Sequence, residues 1–294
     1  MKAAAFEYSR PATLDEACAL LAADDGARLI AGGQTLVPLM AMRLARPSRL
    51  IDIARLSGLA YIRDEGGEIA IGATTKQCAV EDDPLIRAKL PLLAEAMPHV
   101  GHAPTRARGT IGGSLANADP AAEIALVAVT LGATIAWREG GKASAVHVSE
   151  FFVGPMATAL PQAACLTQAR FPVWQEHRLG VGFQEINARK SDFAFVSAAA
   201  QVALDADGRC ARVALGIGAA TAVPIRIDAD ALIGSRVEEQ RVLDVVDAAL
   251  AGVETMDDLH ASGAYRKRAA RTLAVRALAD AYKNAHRADH ARRT

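Results

Sequence analysis

Apolar residues at Leu14, Ala17, Leu20 and Leu21 recur at helical spacing, and Thr13 with Glu16 three positions later makes a capping box ahead of them. This predicts a helix ending near Asp24-Asp25-Gly26. The run 27–31 reads as a strand, 36–44 as a helix and 49–53 as a second strand. Glu68 to Gly72 reads as another strand, introduced by the Gly66-Gly67 turn. Helical stretches are predicted around 80–89 and 92–96. The longest apolar segment, about 124–136, fits a buried helix running into a strand. Residues 133–137 and 143–148 form a hairpin across Arg138 to Lys142.

After Phe171-Pro172 the texture changes. Residues 199–205 alternate, Ala206-Asp207-Gly208 turns, and 210–218 return as a strand. Helices are predicted over 237–251 and 265–284. Strands followed by helices imply a separate α+β domain, which places the boundary near 172–178 and divides the chain into 1–175 and 176–294.

With 294 residues, 51% hydrophobic and 22% charged, the composition is that of a globular protein with room for two domains. The 33 basic and 33 acidic residues cancel, so neither nucleic acid nor an anionic membrane is indicated as a partner. Nine Lys or Arg fall between Arg266 and Arg293, yet Leu273, Ala274, Ala277, Leu278 and Ala281 recur there at helical spacing. That pattern predicts a surface helix with a solvated basic face. The opening MKAAAFEYSRP lacks the apolar core of a secretory signal, and no run approaches the roughly 20 apolar residues of a membrane span. Cys18, Cys78, Cys165 and Cys210 are isolated, without the clustering of a metal or iron–sulfur site. A cytoplasmic chain with buried thiols is expected.

The polar stretches between these elements carry the candidate chemistry. Residues 31–38 read AGGQTLVP. Glycines after a strand let the backbone approach a ligand closely, and outward N–H groups, with Gln34 and Thr35 beside them, suit an anion such as phosphate. A tight turn without ligand is the alternative for this stretch alone. Residues 109–123, GTIGGSLANADPAAE, set Thr110, Ser114, Asn117, Asp119 and Glu123 between apolar segments. A loop this polar is costly to bury without a partner. A sugar–phosphate ligand would satisfy its hydroxyls, amide and carboxylates together. Neither stretch is a Walker A or a Rossmann fingerprint; Gly216 to Thr221 comes nearest, with Thr in its sixth position.

AGGQTLVPLMAMRLARPSRLIDI, VGHAPTRARGTIGGSLANADPAAE and FFVGPMATAL resemble the FAD-binding medium subunit of the molybdenum hydroxylases, the family of xanthine dehydrogenase and carbon monoxide dehydrogenase. GFQEINARKSDFAFV and the helix at Tyr265-Arg266 resemble its C-terminal domain, so the likeness runs through nearly the whole chain in order. The resemblance implies an α+β fold. Its first part is a vanillyl-alcohol-oxidase (PCMH)-type FAD-binding domain of two subdomains, about 1–55 and 56–175. Its second is a C-terminal α+β domain of the CO-dehydrogenase flavoprotein type.

The resemblance puts FAD on this chain. Its first pyrophosphate loop maps onto Ala31, Gly32, Gly33, Gln34, Thr35, Leu36, Val37 and Pro38, and its second onto Thr110 to Ser114, with Gly113 between. Asn117 and Asp119 fall near the flavin and ribityl chain, and Glu123 is a carboxylate contact. Gly101 and His102 line the site, and Leu166 packs near the flavin. The family usually has His at the position of Asn117; Asn keeps the hydrogen bonding but cannot titrate near neutral pH.

The implied activity is electron transfer within a dimer of heterotrimers. A large subunit carries the molybdopterin cofactor, and a small subunit carries [2Fe-2S] clusters. FAD on this chain collects the electrons and passes them to an external acceptor. Purines, N-heterocycles, aldehydes and carbon monoxide are all compatible substrates, and NAD, a quinone or a cytochrome a compatible acceptor. No catalytic residue is expected, because the cofactor does the redox chemistry. Two rivals stand beside this reading: a free-standing FAD-dependent oxidoreductase and a structural subunit without flavin. His99 and His102 alone do not make a metal site. Arg106 and Arg108 fit either a phosphate or a neighbouring subunit.

Overall fold

The computed structural model describes residues 2–293, the side chains of 288–293 excepted. The first unit contains β1 (Glu7–Ser9), α1 (Leu14–Ala22), β2 (Arg28–Ile30), α2 (Leu36–Ala41) and β3 (Arg49–Asp52). Its three strands form a parallel sheet in the order β1-β3-β2. The predicted cap forms: Thr13 Oγ1 accepts from the Glu16 N–H, and the Glu16 carboxylate accepts from the Ala12 N–H. Ala17, Cys18 and Leu21 then pack on Ile51 and Ile53.

The second unit begins with β4 (Ile62–Asp64) and β5 (Glu68–Gly72), followed by α3 (Gln77–Asp82), α4 (Pro84–Lys89) and α5 (Pro91–Ala96). The helix expected over 80–89 is thus two helices. Pro84 and Pro91 each open a new one, because proline lacks the N–H that would continue the preceding helix. Next come α6 (Ala103–Arg106), α7 (Ile111–Asn117), α8 (Glu123–Leu131), β6 (Thr134–Glu139) and β7 (Lys142–His147). The small pair β8 (Phe152–Gly154) and β9 (Ala157–Thr158) precedes β10 (Ala164–Pro172). The sheet order is β4-β5-β10-β6-β7. Its central strand, β10, is absent from the sequence reading because ACLTQARFP does not alternate.

The third unit is a four-stranded antiparallel meander of β11 (Leu179–Asn187), β12 (Ala194–Leu204), β13 (Cys210–Gly218) and β14 (Ile225–Ile227). It is covered by α9 (Glu239–Leu250) and α10 (Gly263–Arg293). Helix α10 has the expected solvated basic face, with Arg268, Arg276, Lys283 and Arg287 exposed, and departs from the expectation at Arg266. Leu273, Ala274, Ala277, Leu278 and Ala281 are fully buried, and the basic residue that opens the run, Arg266, is only 2% exposed. The helix lies against the sheet backbone itself. A Cβ at Gly180 would sit 2.0 Å from the Ala281 carbonyl oxygen, and one at Gly182 would sit 2.2 Å from that of Ala277. Small residues on both surfaces permit this approach. Ile124 to Leu131 on α8 are all buried, packed against both the central sheet and the meander. That shared helix fixes the third unit over the mouth of a cleft between the first two.

Candidate functional site

The two glycine stretches meet. Gly32 lies so close to the backbone of the second stretch that a Cβ there would be 2.4 Å from the Arg108 carbonyl oxygen and 2.8 Å from the Gly109 Cα. The Lys76 ammonium donates to the same Arg108 carbonyl at 2.9 Å, and burial holds that lysine below the usual lysine range. Gly33 adopts φ +69°, a left-handed conformation that glycine takes without steric cost. Gln34 Nε2 turns back onto the Gly32 carbonyl at 3.1 Å, so this amide braces the loop from within. Among the described residues, the backbone N–H groups of Gly32 through Thr35 donate to no protein acceptor.

The second stretch is differently employed. Residues expected as loop form helix α7, capped by Thr110, whose Oγ1 accepts from the Gly113 N–H at 3.0 Å and whose side chain is buried. The helix closes on Ala118 at φ +50°. The N–H groups of Ile111, Gly112, Gly113 and Ser114 are all taken by protein acceptors. What this stretch offers the cleft is side chains. The Ser114 hydroxyl has no protein partner among the described residues, and Asn117 has only a 3.9 Å approach to Met156 Sδ. Asp119 Oδ1 accepts from the Ala121 N–H at 2.9 Å, leaving its other oxygen free.

Around these loops the structure forms one cleft of about 770 Å3, within the usual range for a cofactor pocket. It gathers Ala31 to Leu36, Gly101, His102, Thr110, Gly113, Ser114, Asn117, Asp119, Glu123 and Leu166. Val37 and Pro38 do not line it; they lie in the first turn of α2, and Val37 is half exposed. Leu166 reaches the cleft because β10 carries a bulge between Leu166 and Gln168, which re-aims its side chain. Arg106 does not line the cleft, and its guanidinium is engaged within the chain. It grips Glu81 through both guanidinium ends at 2.7 and 2.9 Å and donates to the carbonyls of Val100 and Gly101, fixing the wall in front of His102.

Sequence reasoning missed the far wall, where Met156, Thr158 and Leu160 line the cleft. It also missed Ser191, Asp192 and Phe193, which the third unit contributes across the mouth. Phe193 is 75% exposed, an aromatic ring left uncovered beside a cleft, and Ser191 sits at φ +68°. A polar KSD turn followed by a lone aromatic was the available signal. Glu123 opens α8 at the cleft floor, and burial pushes its carboxyl up to about 7. His99 turns away to pair with Glu185 at 3.1 Å.

These features suit the expected dinucleotide. Unspent N–H donors match a pyrophosphate, while free hydroxyl, amide and carboxylate groups match ribose and ribityl hydroxyls.

Comparison with known proteins agrees. Residues 4–174 match the family model described as the FAD binding domain in molybdopterin dehydrogenase, and 182–281 match the CO dehydrogenase flavoprotein C-terminal domain. The 6-hydroxypseudooxynicotine dehydrogenase complex subunit alpha of Paenarthrobacter nicotinovorans is 35% identical over 96% of both chains. The nicotine 6-hydroxylase medium subunit of the same organism is 33% identical over 96% of this chain and 99% of its own. Among solved structures, the carbon monoxide dehydrogenase of Hydrogenophaga pseudoflava lacking the Mo-pyranopterin moiety of its molybdenum cofactor matches with TM-score 0.92 and 30% identity. That match covers 97% of this chain and 99% of the other.

Proposed function

The chain belongs to the family of FAD-binding domains in molybdopterin dehydrogenases, an oxidoreductase component, and from that premise we propose that it is the electron-relaying medium subunit of a molybdenum hydroxylase. It receives electrons from [2Fe-2S] clusters of a small partner subunit, while a large partner holds the molybdopterin cofactor and the substrate. It hands the electrons to an external acceptor. One observation carries the FAD site: the unspent N–H groups of Gly32 to Thr35, held in the cleft by contact with the Arg108–Gly109 backbone.

Bound there, FAD supplies the redox chemistry. The chain's own residues bind and orient it. Gly32 to Thr35 would take the pyrophosphate, while Ser114, Asn117, Asp119 and Glu123 would take sugar and ribityl hydroxyls. Leu166 would pack an apolar surface on the ring and keep water from it. Asn117 can hydrogen-bond without titrating, so no proton passes through that position. We place the domain junction at 175–176, between the two family matches. The assembly we propose is a cytoplasmic dimer of heterotrimers, in keeping with four free cysteines. No helix among the described residues is long and apolar enough to cross a membrane.

The test is a tagged chain recovered from its native host, with its visible spectrum, co-purifying chains, molybdenum and iron recorded. Flavin with both metals and two partner chains is the expected result. Flavin on a lone active chain would instead establish the free-standing oxidoreductase, and a complex without flavin the structural subunit. On the purified chain, Glu123→Ala is expected to weaken FAD binding about tenfold, the loss of one hydrogen bond worth roughly 1.4 kcal/mol. Unchanged affinity by fluorescence titration would remove Glu123 from the site.

A further inference from the structure

Behind the cleft wall stands a group of titratable side chains that ligand contacts do not explain. Glu123 lines the cleft, and no side chain or neighbouring residue donates to its carboxylate among the described residues; its own N–H is the nearest donor. His99, in the turn just before the Gly101–His102 wall, places Nδ1 3.1 Å from Glu185 Oε1 on β11. Its ring lies 4.8 Å from that of Phe183. Glu185 is nearly buried; Oε1 also accepts from Asn187 Nδ2 at 2.8 Å, and Oε2 is buried with no partner at all. Glu123 thus opens α8 at the cleft floor, while the His99–Glu185 pair stands behind the wall, on a turn that packs against α8 and a strand that packs against α5.

We propose that His99 and Glu185 are positioning residues that set the proton of Glu123, so that Glu123 meets bound FAD as a neutral carboxylic acid and donates a hydrogen bond from its O–H. The proposal rests on the reading of this cleft as the FAD site.

The charge balance explains why. The groups that face Glu123 are Glu185, His99 and Asp119; His99 in turn faces Glu185, Glu123 and Glu95. One imidazolium cannot balance so many carboxylates. Its hydrogen bond to Glu185 raises His99 above the usual histidine range, so its positive charge is committed to Glu185. Glu123 is left uncompensated in a half-buried position on the cleft, and desolvation, Glu185 and Asp119 all favour its neutral form. A pyrophosphate entering the same cleft adds negative charge and further desolvation, which favour the neutral form more.

The sign of the linkage follows. A carboxyl near 7 in the empty cleft and higher in the filled one takes up a proton when FAD binds above neutral pH. Affinity is therefore full below pH 7 and falls as pH rises, by at most about tenfold per unit, until the filled-cleft pKa is reached.

The experiment is FAD dissociation from the full chain, read by flavin fluorescence between about pH 5.5 and about 8.5, where a single carboxyl linkage is visible. Wild type is expected to lose affinity with a one-proton midpoint near 7. Glu123→Gln, a neutral donor of the same shape, is expected to keep the acidic-pH affinity and lose the pH dependence. His99→Gln leaves the Glu185 charge facing Glu123 and is expected to move the midpoint up by roughly a unit. Glu185→Gln releases the imidazolium toward Glu123 and moves the midpoint down. A Glu123→Gln variant that keeps the wild-type slope would overturn the proposal. So would His99 and Glu185 variants that change affinity equally at every pH with the midpoint unmoved, the mark of a purely structural role. Absence of FAD binding by wild type at every pH would overturn the site reading itself, and this inference with it.

Discussion

A Gly33→Val chain is expected to fold and to purify without flavin. Gly33 sits at φ +69°, where a β-branched residue costs about 1–3 kcal/mol, a fraction of the roughly 5–15 kcal/mol that holds a domain together. The space around it is forgiving. A Cβ would meet only the Val37 and Ile30 side chains, at 3.2 and 3.3 Å, and both can move. The loop escapes its strain by returning to negative φ, which re-aims the N–H groups of Gly32 to Thr35. Charge-assisted bonds to phosphate contribute about 1.5–3 kcal/mol each, so losing two weakens binding by at least roughly a hundredfold. The ratio of flavin to protein absorbance, read beside the melting temperature, is the measurement. A folded variant with normal flavin would remove the first glycine stretch from the site.

The second large effect is on stability. Arg266→Ala is expected to cost about 2–4 kcal/mol, mostly from leaving two backbone carbonyls without their donor at about 1–3 kcal/mol each, since Asp258 is 42% exposed and its half of the ion pair is screened. The guanidinium is nearly fully buried. It donates to the Ala219 carbonyl at 2.7 Å, to the Phe195 carbonyl and to Asp258, so its removal takes the donor from two backbone carbonyls and leaves Asp258 to its backbone N–H partners and solvent. Asp258 cannot neutralise itself in compensation. The N–H groups of Ala261 and His260, followed by Arg266, hold its carboxyl down at about 2. Arg266→Lys is expected to recover less than half of the loss, because one ammonium cannot span a fork of acceptors. Urea denaturation should show a lower midpoint at unchanged slope, since the exposed surface on unfolding is the same. A loss below about 1 kcal/mol would mean that solvent replaces the three contacts.

Arg266 also marks a limit of pattern reading. Its helix was legible from the spacing of Leu273, Ala274, Ala277, Leu278 and Ala281, and that apolar face is buried as the spacing required. The spacing also placed Arg266 among solvated charges. Periodicity reports which face turns inward, but not how deep the helix sits. Depth at the first turn came from the Phe195 and Ala219 carbonyls, which take the Arg266 guanidinium, while Gly180 and Gly182 let the later turns touch the sheet backbone. In the same way, 109–123 read as a polar loop because a polar residue recurs every few positions in it. Yet Thr110 could spend its hydroxyl on the Gly113 N–H and start a helix there, a local choice with no sign in the composition.

The sequence alone determined the elements with strong local signals: the capped first helix, the strand after Gly66-Gly67, the hairpin at Arg138 to Lys142 and the return strand from Cys210. It also determined the glycine stretches and, through their length and order, the family. Tertiary structure decided what those stretches do. It set Gly32 against Arg108 and Gly109, left the N–H groups of the first stretch free while spending those of the second, and aimed Leu166 inward through a bulge. It also carried Phe193 from the third unit to the cleft and Glu185 to His99 behind its wall. The physical reason is range. Capping, turn chemistry and hydrophobic period act within a few residues and are written in the order of the chain. The contacts of the cleft join residues about seventy to one hundred and sixty positions apart, and only tertiary packing, with α8 joining the central sheet to the meander, brings them to one place.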